Sequence, residues 1–418
     1  MEMKKYKLGE IASIYNGSTP STADKDNYDG DIVWATPKDL SDQQSKWFYK
    51  GARNITKKGF DSCSTQIIPA NNILMSSRAP IGLFAINKVD CCTNQGFKNI
   101  VLDKAIADVD FMYYFLKYHV KEIEALGTGT TFMEVSKKSF ESYEIEIPNL
   151  NIQKRIASIL SALDQKIYLN RSINRDLEAL AKQIYDYWFV QFDFPNENGK
   201  PYKSSGGKMV WNDILNKYIP SYWNVIQLDE ILSDQKVRQI NPQDTPEKMF
   251  KHLSFPSLDT YGCYYEEKGE EIKSNKIVVK DEYVLASKLN PWIKRIAWGS
   301  AEDDLICSTE FVVLNPYDKH IKPFLYYLVN QDSFIDYCTA SSTGTSHSQR
   351  RVKPDIMKMY KFTYDKEIAI KFSEQIQSIV EITRKNILQN LELTKQRDEL
   401  LPLLMNGQVT VNPDLSVY

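Results

Sequence analysis

Several strings in this chain approach the spacings that chemistry uses. Asp259, Glu266 and Lys268 stand as D-x6-E-x-K, a spacing at which two carboxylates hold Mg²⁺ and a lysine steadies a phosphate in nucleases. That signature is loose, and a chain rich in Lys and Glu produces it readily as a solvated loop. "LNPW" (289–292) and "NPYD" (315–318) resemble the rigid polar turn that holds a target amine in amino-methyltransferases, but each lacks the second Pro. "SSGGK" (204–208) lacks the upstream Gly and the following Ser/Thr of a phosphate-binding loop. "GTGTTFMEV" (127–135) could cradle a phosphate on its own, yet Thr-Gly-Thr returns at 343–345 inside "SSTGTSHSQRRV" (341–352). A nucleotide site would not need this turn twice, about half a chain apart.

Metal and nucleophile chemistry fare no better. Cys63, Cys91, Cys92, Cys263, Cys307 and Cys338 include no CxxC pair, and the four histidines are scattered, so no zinc set forms. With His this scarce, no Ser-His-Asp arrangement can be proposed. The loops carry recognition chemistry instead. "SSRAP" (76–80), "TNQGF" (93–97), "LASKLNPWIKR" (285–295) and "GTSHSQRR" (344–351) are rich in side chains that donate to or accept from base edges and phosphates.

The net charge of −2 speaks against a polyanionic partner only if charge is evenly spread. It is not: "KWFYKGARNITKK" (46–58) has five basic residues and no acid, and "HSQRRVKPDIMKMYK" (347–361) has five Lys/Arg against one Asp. Local positive surfaces on a neutral body suit a partner that presents phosphates. With 418 residues the chain should form two to four domains. No stretch of about 18 apolar residues occurs, which predicts no spanning helix, and the N-terminus has no export signal. Scattered thiols fit a reducing cytoplasm.

The elements that must position these loops come in two copies. "LGEIASI" (8–14) answers "LDEILSD" (228–234), and "ILMSSRAPIG" (73–82) answers "VLASKLNPWI" (284–293). "CCTNQGFKNIVL" (91–102) answers "ICSTEFVVL" (306–314), and "FMYYFLKYHV" (111–120) answers "PFLYYLVNQD" (323–332). Short β-branched runs broken by turn signals predict a small α+β domain in each copy, its sheet bent and mostly antiparallel. A long helix follows each domain. Ile156, Leu163, Asn170, Leu177 and Ile184 fall seven apart in the first; Phe372, Ile379, Asn386, Leu393 and Leu400 do so in the second. Ile159, Ile173 and Leu180, with Lys166 in the gap, suggest a second seam line. At ~1.5 Å rise per residue, such a helix spans roughly 55–60 Å. Two such helices can pair antiparallel, with a small domain at either end of the rod and an Asn in each seam to fix register.

"IYNGSTPST", "GDIVWATPKDL", "GTGTTFMEVSKKSFESYEIEIPNLNIQKRIASIL", "DLEALAKQIYDYWFVQFDFP" and "RDELLPLLMNGQV" resemble the specificity (S) subunit of Type I restriction–modification enzymes. The resemblance covers essentially the whole chain. It departs at the second domain–helix junction, where "YKFTYDKEIAIKFSEQI" lacks the Pro and Gln of the first. The implied fold is α+β: two small mixed α/β target recognition domains separated by two long antiparallel coiled-coil helices, as a pseudo-two-fold repeat. Boundaries are expected at 1–150 for the first domain, 151–190 for the central helix, 191–221 for a linker, 222–365 for the second domain, 366–407 for the last helix and 408–418 for a tail.

The family implies that each domain reads half of a split site in double-stranded DNA through the major groove. The helices would set the spacing and dock two modification (methyltransferase) subunits. S-adenosylmethionine, ATP and Mg²⁺ are expected only on those and on the restriction (translocase/nuclease) subunits, and this chain would need no cofactor, metal or membrane. Because the loops of the two domains differ, the target should be asymmetric. Candidate DNA contacts are Lys38, Arg78, Gln95, Thr128 and Thr130 in the first domain, and Lys288, Lys294, Arg295, Ser346, Arg350 and Arg351 in the second. The alternatives are a fused or remote methyltransferase or nuclease, and a DNA-free coiled-coil scaffold.

Overall fold

A computed structural model describes residues 2–43, 45–78, 80–129, 133–234, 236–344 and 349–409. The chain divides into two compact units, one holding the chain up to Leu169 and again from Glu392 onward, the other Asn170–Leu391. Each unit therefore contains one mixed α/β domain and a section of both long helices.

In the first unit the main sheet runs in the order Ala12–Asn16, Phe97–Leu102, Ile73–Ser77, Ile81–Asn87 and Trp47–Phe48, antiparallel except for its last pair. A smaller sheet places Tyr28–Ala35 between antiparallel Arg53–Ile55 and parallel Cys92–Thr93. The second unit repeats this wiring. Val284–Ser287 lies between Ile296–Trp298 and Phe311–Leu314, and Met249–Leu253 pairs parallel with Leu305–Ser308 and antiparallel with Tyr265–Lys268.

The duplication reaches single hydrogen bonds. Met3–Lys7 pairs with Glu144–Pro148, and Asn224–Gln227 with Lys361–Tyr364. In each copy the next turn is capped by its own glutamate: Lys7 N donates to Glu10 Oε2 (2.8 Å) and Gln227 N to Glu230 Oε1 (2.7 Å). Satisfying these orphan amides is what lets so short a turn hold. Leu8 N then donates to Tyr143 O (2.9 Å) and Leu228 N to Tyr360 O (3.0 Å). The first junction has one extra device: buried Gln153 donates to Pro148 O (2.8 Å) and Ile106 O (3.0 Å) and accepts from Asp108 N (2.8 Å). The second copy has apolar, buried Ala369 at the matching place, so the sequence departure there trades a polar staple for packing.

The long helices are Leu150–Tyr185, continued by a wider turn at Asp186–Val190, and Lys366–Met405. Isolated helices gain little in water, so the buried stripe stabilises them. Ile156 and Asn170 are buried on the first seam line, with Leu163, Leu177 and Ile184 partly so. On the other helix Phe372 and Ile379 are buried, and Asn386, Leu393 and Leu400 are partly buried. The second seam line is a correction. Lys166, Ile173 and Leu180 are exposed and Ile159 is only partly covered, while Leu160, Ile167, Asn174 and Ala181 are buried. The inner stripe therefore alternates steps of four and three from Ile156, not three and four. Asn and Ala at two of its positions hid it from a count of apolar residues.

Within the second unit the sections of the two helices run antiparallel around a layer of four asparagines. Asn170 Nδ2 donates to Asn390 Oδ1 (2.9 Å) and Gln389 Oε1 (2.8 Å). Asn386 Nδ2 donates to Asn174 Oδ1 (2.8 Å), and Asn174 Nδ2 to Thr383 O (3.0 Å). The expected register asparagines, Asn170 and Asn386, do not face each other; each meets the partner one turn along, Asn390 and Asn174. Within the first unit the helix sections are joined by Arg397 Nη1 on Asp164 Oδ1 (2.8 Å). Asp164 Oδ2 accepts from Tyr114 Oη (2.5 Å). Lys46 Nζ donates to Tyr114 Oη (2.9 Å), Asp110 Oδ1 (2.7 Å) and Ser161 Oγ (2.8 Å). Burial holds the Lys46 ammonium below its usual range against the pull of Asp110.

Candidate nucleic-acid interface

In the first unit the loop "NGSTP" (16–20) is sewn onto the loop "TNQG" (93–96). Ser18 N donates to Thr93 O (2.9 Å), Trp34 Nε1 to Ser18 O (3.3 Å), and Thr19 Oγ1 to Gln95 Oε1. Gly17 is obligatory here, since a Cβ would stand 1.9 Å from Asn94 O. A Cβ on Gly96 would stand 3.0 Å from Pro37 Cγ and 3.5 Å from Arg78 Nε, so Arg78 and Pro37, the residue before Lys38, close on that glycine beside Gln95. Strand Ile73–Ser77 feeds Arg78, which bridges Glu134, and Glu134 is paired in turn with Thr128 across the Gly-centred hairpin. Gly129 takes φ +125°, a region open to glycine. Lys38, Gln95 and Thr128 are exposed, and neither Lys38 nor Arg78 has an ion-pair partner among the described residues. Arg78, Gln95 and Thr128 are thus linked along one edge, with Lys38 following Pro37 at its side; Thr130 lies outside the described residues.

The second unit builds the same edge with different charges. Arg351 bridges Thr343 across the second Gly-centred loop and Leu289 beside it. Lys288 N donates to Glu310 O (3.0 Å) and Val352 N to Lys288 O (3.0 Å), which fixes Lys288 between the two strands. Arg350 is held at three points: its N donates to Asn290 Oδ1 (3.1 Å), its O accepts from Asn290 N (2.8 Å), and Nη2 donates to Ser342 O (2.7 Å). Arg351 Nε and Nη2 meet the Glu310 carboxylate at 3.1 and 3.2 Å. Gly344 is packed so that a Cβ would stand 2.8 Å from Gln349 O. Ser346 lies outside the described residues.

The side chains of two candidates of this domain are engaged with acids. The Arg295 guanidinium makes a two-point pair with Asp259 (2.8 and 2.5 Å) and lies over Phe255, leaving its side chain 15% exposed. Lys294 bonds Asp332 (2.9 Å) and holds that carboxyl below its usual range. The D-x6-E-x-K string dissolves in the same way. Asp259 faces Arg295, and Lys268 pairs with Glu247 (3.1 Å) and Glu270 (3.6 Å). Among the described residues no group of three His, Cys, Asp or Glu could hold a metal ion, and no helix is long and apolar enough to cross a membrane.

Residue-type reasoning overlooked Glu134, Lys98 and Glu310. Lys98 Nζ donates to Glu134 Oε1 (3.0 Å) and Ser77 Oγ (3.4 Å) with only 5% of its side chain exposed. The available signal was that an acid or base sits a few residues past each Thr-Gly-Thr, with its opposite on the strand before.

The geometry is that of a duplicated recognition protein: two mixed domains, each presenting an equivalent edge of polar and cationic loop residues. A family model described as the Type I restriction modification DNA specificity domain matches residues 1–179. The chain is 30% identical to the Type I restriction enzyme MjaIX specificity subunit of Methanocaldococcus jannaschii, over 97% of this chain and 93% of that protein. It is 24% identical to the HindI specificity subunit of Haemophilus influenzae, over 67% of this chain and 72% of that one. A crystal structure of an S subunit of a Type I system from M. genitalium shares the fold at 18% identity, with a TM-score of 0.60 over 100% of this chain and 97% of that one. This chain belongs to the specificity subunits of Type I restriction–modification enzymes. Its function is DNA sequence recognition, and it does no catalysis itself.

Proposed function

We propose that each unit reads one half of a bipartite, asymmetric target in double-stranded DNA. The observation that carries this is the equivalent loop edge in both units: Lys38, Arg78, Gln95 and Thr128 in one, Lys288, Arg350 and Arg351 in the other. Thr130 and Ser346 belong to the same two loops in sequence. Lys294 and Arg295 are placed to support the second domain through their acids. Cations without a carboxylate partner among the described residues, such as Lys38, Arg78 and Lys288, suit phosphate, while loop amides and hydroxyls suit base edges.

The long helices set the gap between half-sites and dock two modification subunits, with exposed Ile173 and Leu180 available for such a contact. S-adenosylmethionine is held by those subunits, and ATP and Mg²⁺ by the restriction subunits. The thiols suit the cytoplasm, where such a complex meets DNA.

Co-expression with modification subunits, followed by mapping of methylated adenines in the host genome, tests this reading. The expected outcome is one split motif with two different halves and a complex of two modification subunits per chain. A single continuous motif, or methylation that does not depend on this chain, would refute it. So would binding of S-adenosylmethionine by the purified chain, which the methyltransferase alternative requires.

A further inference from the structure

Each Gly-centred loop is followed by one charged residue in the same structural place. Glu134 bridges Arg78 and pairs with Thr128; Arg351 bridges Leu289 and Thr343. Arg78 and Leu289 each follow the equivalent strands Ile73–Ser77 and Val284–Ser287, so Glu134 and Arg351 occupy matching positions. Each is met by the opposite charge from the neighbouring strand. Lys98, in Phe97–Leu102, holds Glu134; Glu310, just before Phe311–Leu314, holds Arg351. An ion pair thus recurs in both units with its polarity reversed, its holder shifted by two residues: Glu310 O accepts from Lys288 N as Gly96 O does from Ser77 N, so Glu310 stands where Gly96 does.

Exposure separates the two members of each pair. On the hairpin, the side chains of Glu134 and Arg351 are 39% and 45% exposed; on the sheet, those of Lys98 and Glu310 are 5% and 26% exposed. The sheet residue is the holder and the hairpin residue is the one presented. In each, hydrogen-bonding capacity is left over. The bonds to Glu134 from Lys98 and Ser77 both fall on Oε1, and Oε2 has no partner among the described residues. Glu310 takes the Nε–Nη2 edge of Arg351, and the Nη1 side has no partner among the described residues. A carboxylate facing a polyanion is repelled unless it is neutralised, and Lys98 supplies that neutralisation from behind.

We propose that Glu134 and Arg351 are the equivalent specificity-determining residues of the two half-sites, each reading one base edge. This rests on the reading of the units as recognition domains. Glu134 accepts from an exocyclic amine in the major groove, cytosine N4 before adenine N6; Arg351 donates through its open edge to guanine O6 and N7. Lys98 and Glu310 are positioning residues that orient the two readers.

The test compares wild-type and variant chains, each co-expressed with the modification subunits, by genome-wide mapping of methylated motifs. Glu134→Gln keeps the shape and changes acceptor into donor-acceptor. It is expected to weaken discrimination by roughly tenfold to a hundredfold at one position of one half-site. The other half-site, unchanged, reports that the complex still folds and assembles. Arg351→Gln should do the same in the opposite half. Lys98→Met and Glu310→Gln should lower methylation through their own half-site without changing the base preferred. If Glu134→Gln methylates nothing, Glu134→Asp, which keeps the carboxylate, must return the original motif. An unchanged motif with Glu134→Gln and Arg351→Gln, a change in both halves at once, or a failure of Glu134→Asp overturns the proposal. If the wild-type chain itself yields no split motif, it is the recognition-domain reading that falls.

Discussion

Replacing Arg397 by Ala in the first unit isolates the energetics of the helix pairing there. Arg397 and Asp164 are ion-paired at 2.8 Å with 18% and 12% of their side chains exposed. Removing one member of a buried pair leaves the other charge without compensation, which typically costs about 3–5 kcal/mol. Asp164 keeps the Tyr114 hydroxyl at 2.5 Å, so the lower end of that range is expected, about 3 kcal/mol. Asp164→Val should cost less, about 1–2 kcal/mol, because Arg397 retains Asp398 at 2.8 Å.

The internal repeat supplies the control. At the equivalent positions the second unit carries Val380 and Ala181, both buried and apolar. The double variant Asp164→Val, Arg397→Ala writes that solution into the first unit. It should be no less stable than Arg397→Ala alone, a coupling of about 1–2 kcal/mol or more. Urea unfolding of the purified chain followed by circular dichroism measures all four proteins. Single losses below about 0.5 kcal/mol, or losses that simply add, would refute the view that this pair is a desolvated, mutually dependent unit.

Three further outcomes follow from the same physical reasoning. Asn174→Leu removes the acceptor of Asn386 and the donor to Thr383 O, and should cost about 1–3 kcal/mol in a melt of the chain; an unchanged melt would remove the asparagine layer as a determinant of pairing. Burial pushes the thiols of Cys91, Cys307 and Cys338 up to about 12 and that of Cys92 up to about 11. A maleimide at pH 7.5 should therefore modify only Cys63 and Cys263 in the folded chain, and mass spectrometry of the adducts checks this.

Burial also lowers the Lys322 ammonium from 10.5 to about 7. Between these values the unfolded chain holds a proton that the folded chain has lost, so stability should rise with pH from about 7 to 10.5. Below about 7 the ammonium is charged in both states, and the cost of burying it is felt in full. Relative to Lys322→Met, the wild type should gain about 2 kcal/mol between pH 7.5 and 9; parallel pH profiles would contradict the assignment.

The duplication, the small α+β domains and the two long helices were legible because each depends on local pattern. Repeated strings such as "LGEI" and "LDEI" end in the same glutamate cap, and heptad spacing marks one face of a helix wherever it later packs. The second seam line was not legible. A stripe containing Asn174 and Ala181 has low hydrophobicity, and only the neighbouring helix shows that these residues, not Ile173 and Leu180, face inward. The recognition edge was half legible. Gly129, Arg78 and Gln95 stand out by type, but Arg295 does so equally, and only its contact with Asp259 shows that its charge is already taken.

By itself the sequence determined that this chain is two copies of one design, with loops chemically fit for nucleic acid. Those properties are written in residue order and in spacings of a few positions. Tertiary structure alone decided which charges are presented and which are consumed. Lys98 and Glu134 lie far apart in the chain, as do Glu310 and Arg351, and no local pattern encodes a pair whose members meet only when a hairpin folds back onto a sheet. Burial then separates holder from reader, since the member with less water around it must keep its partner.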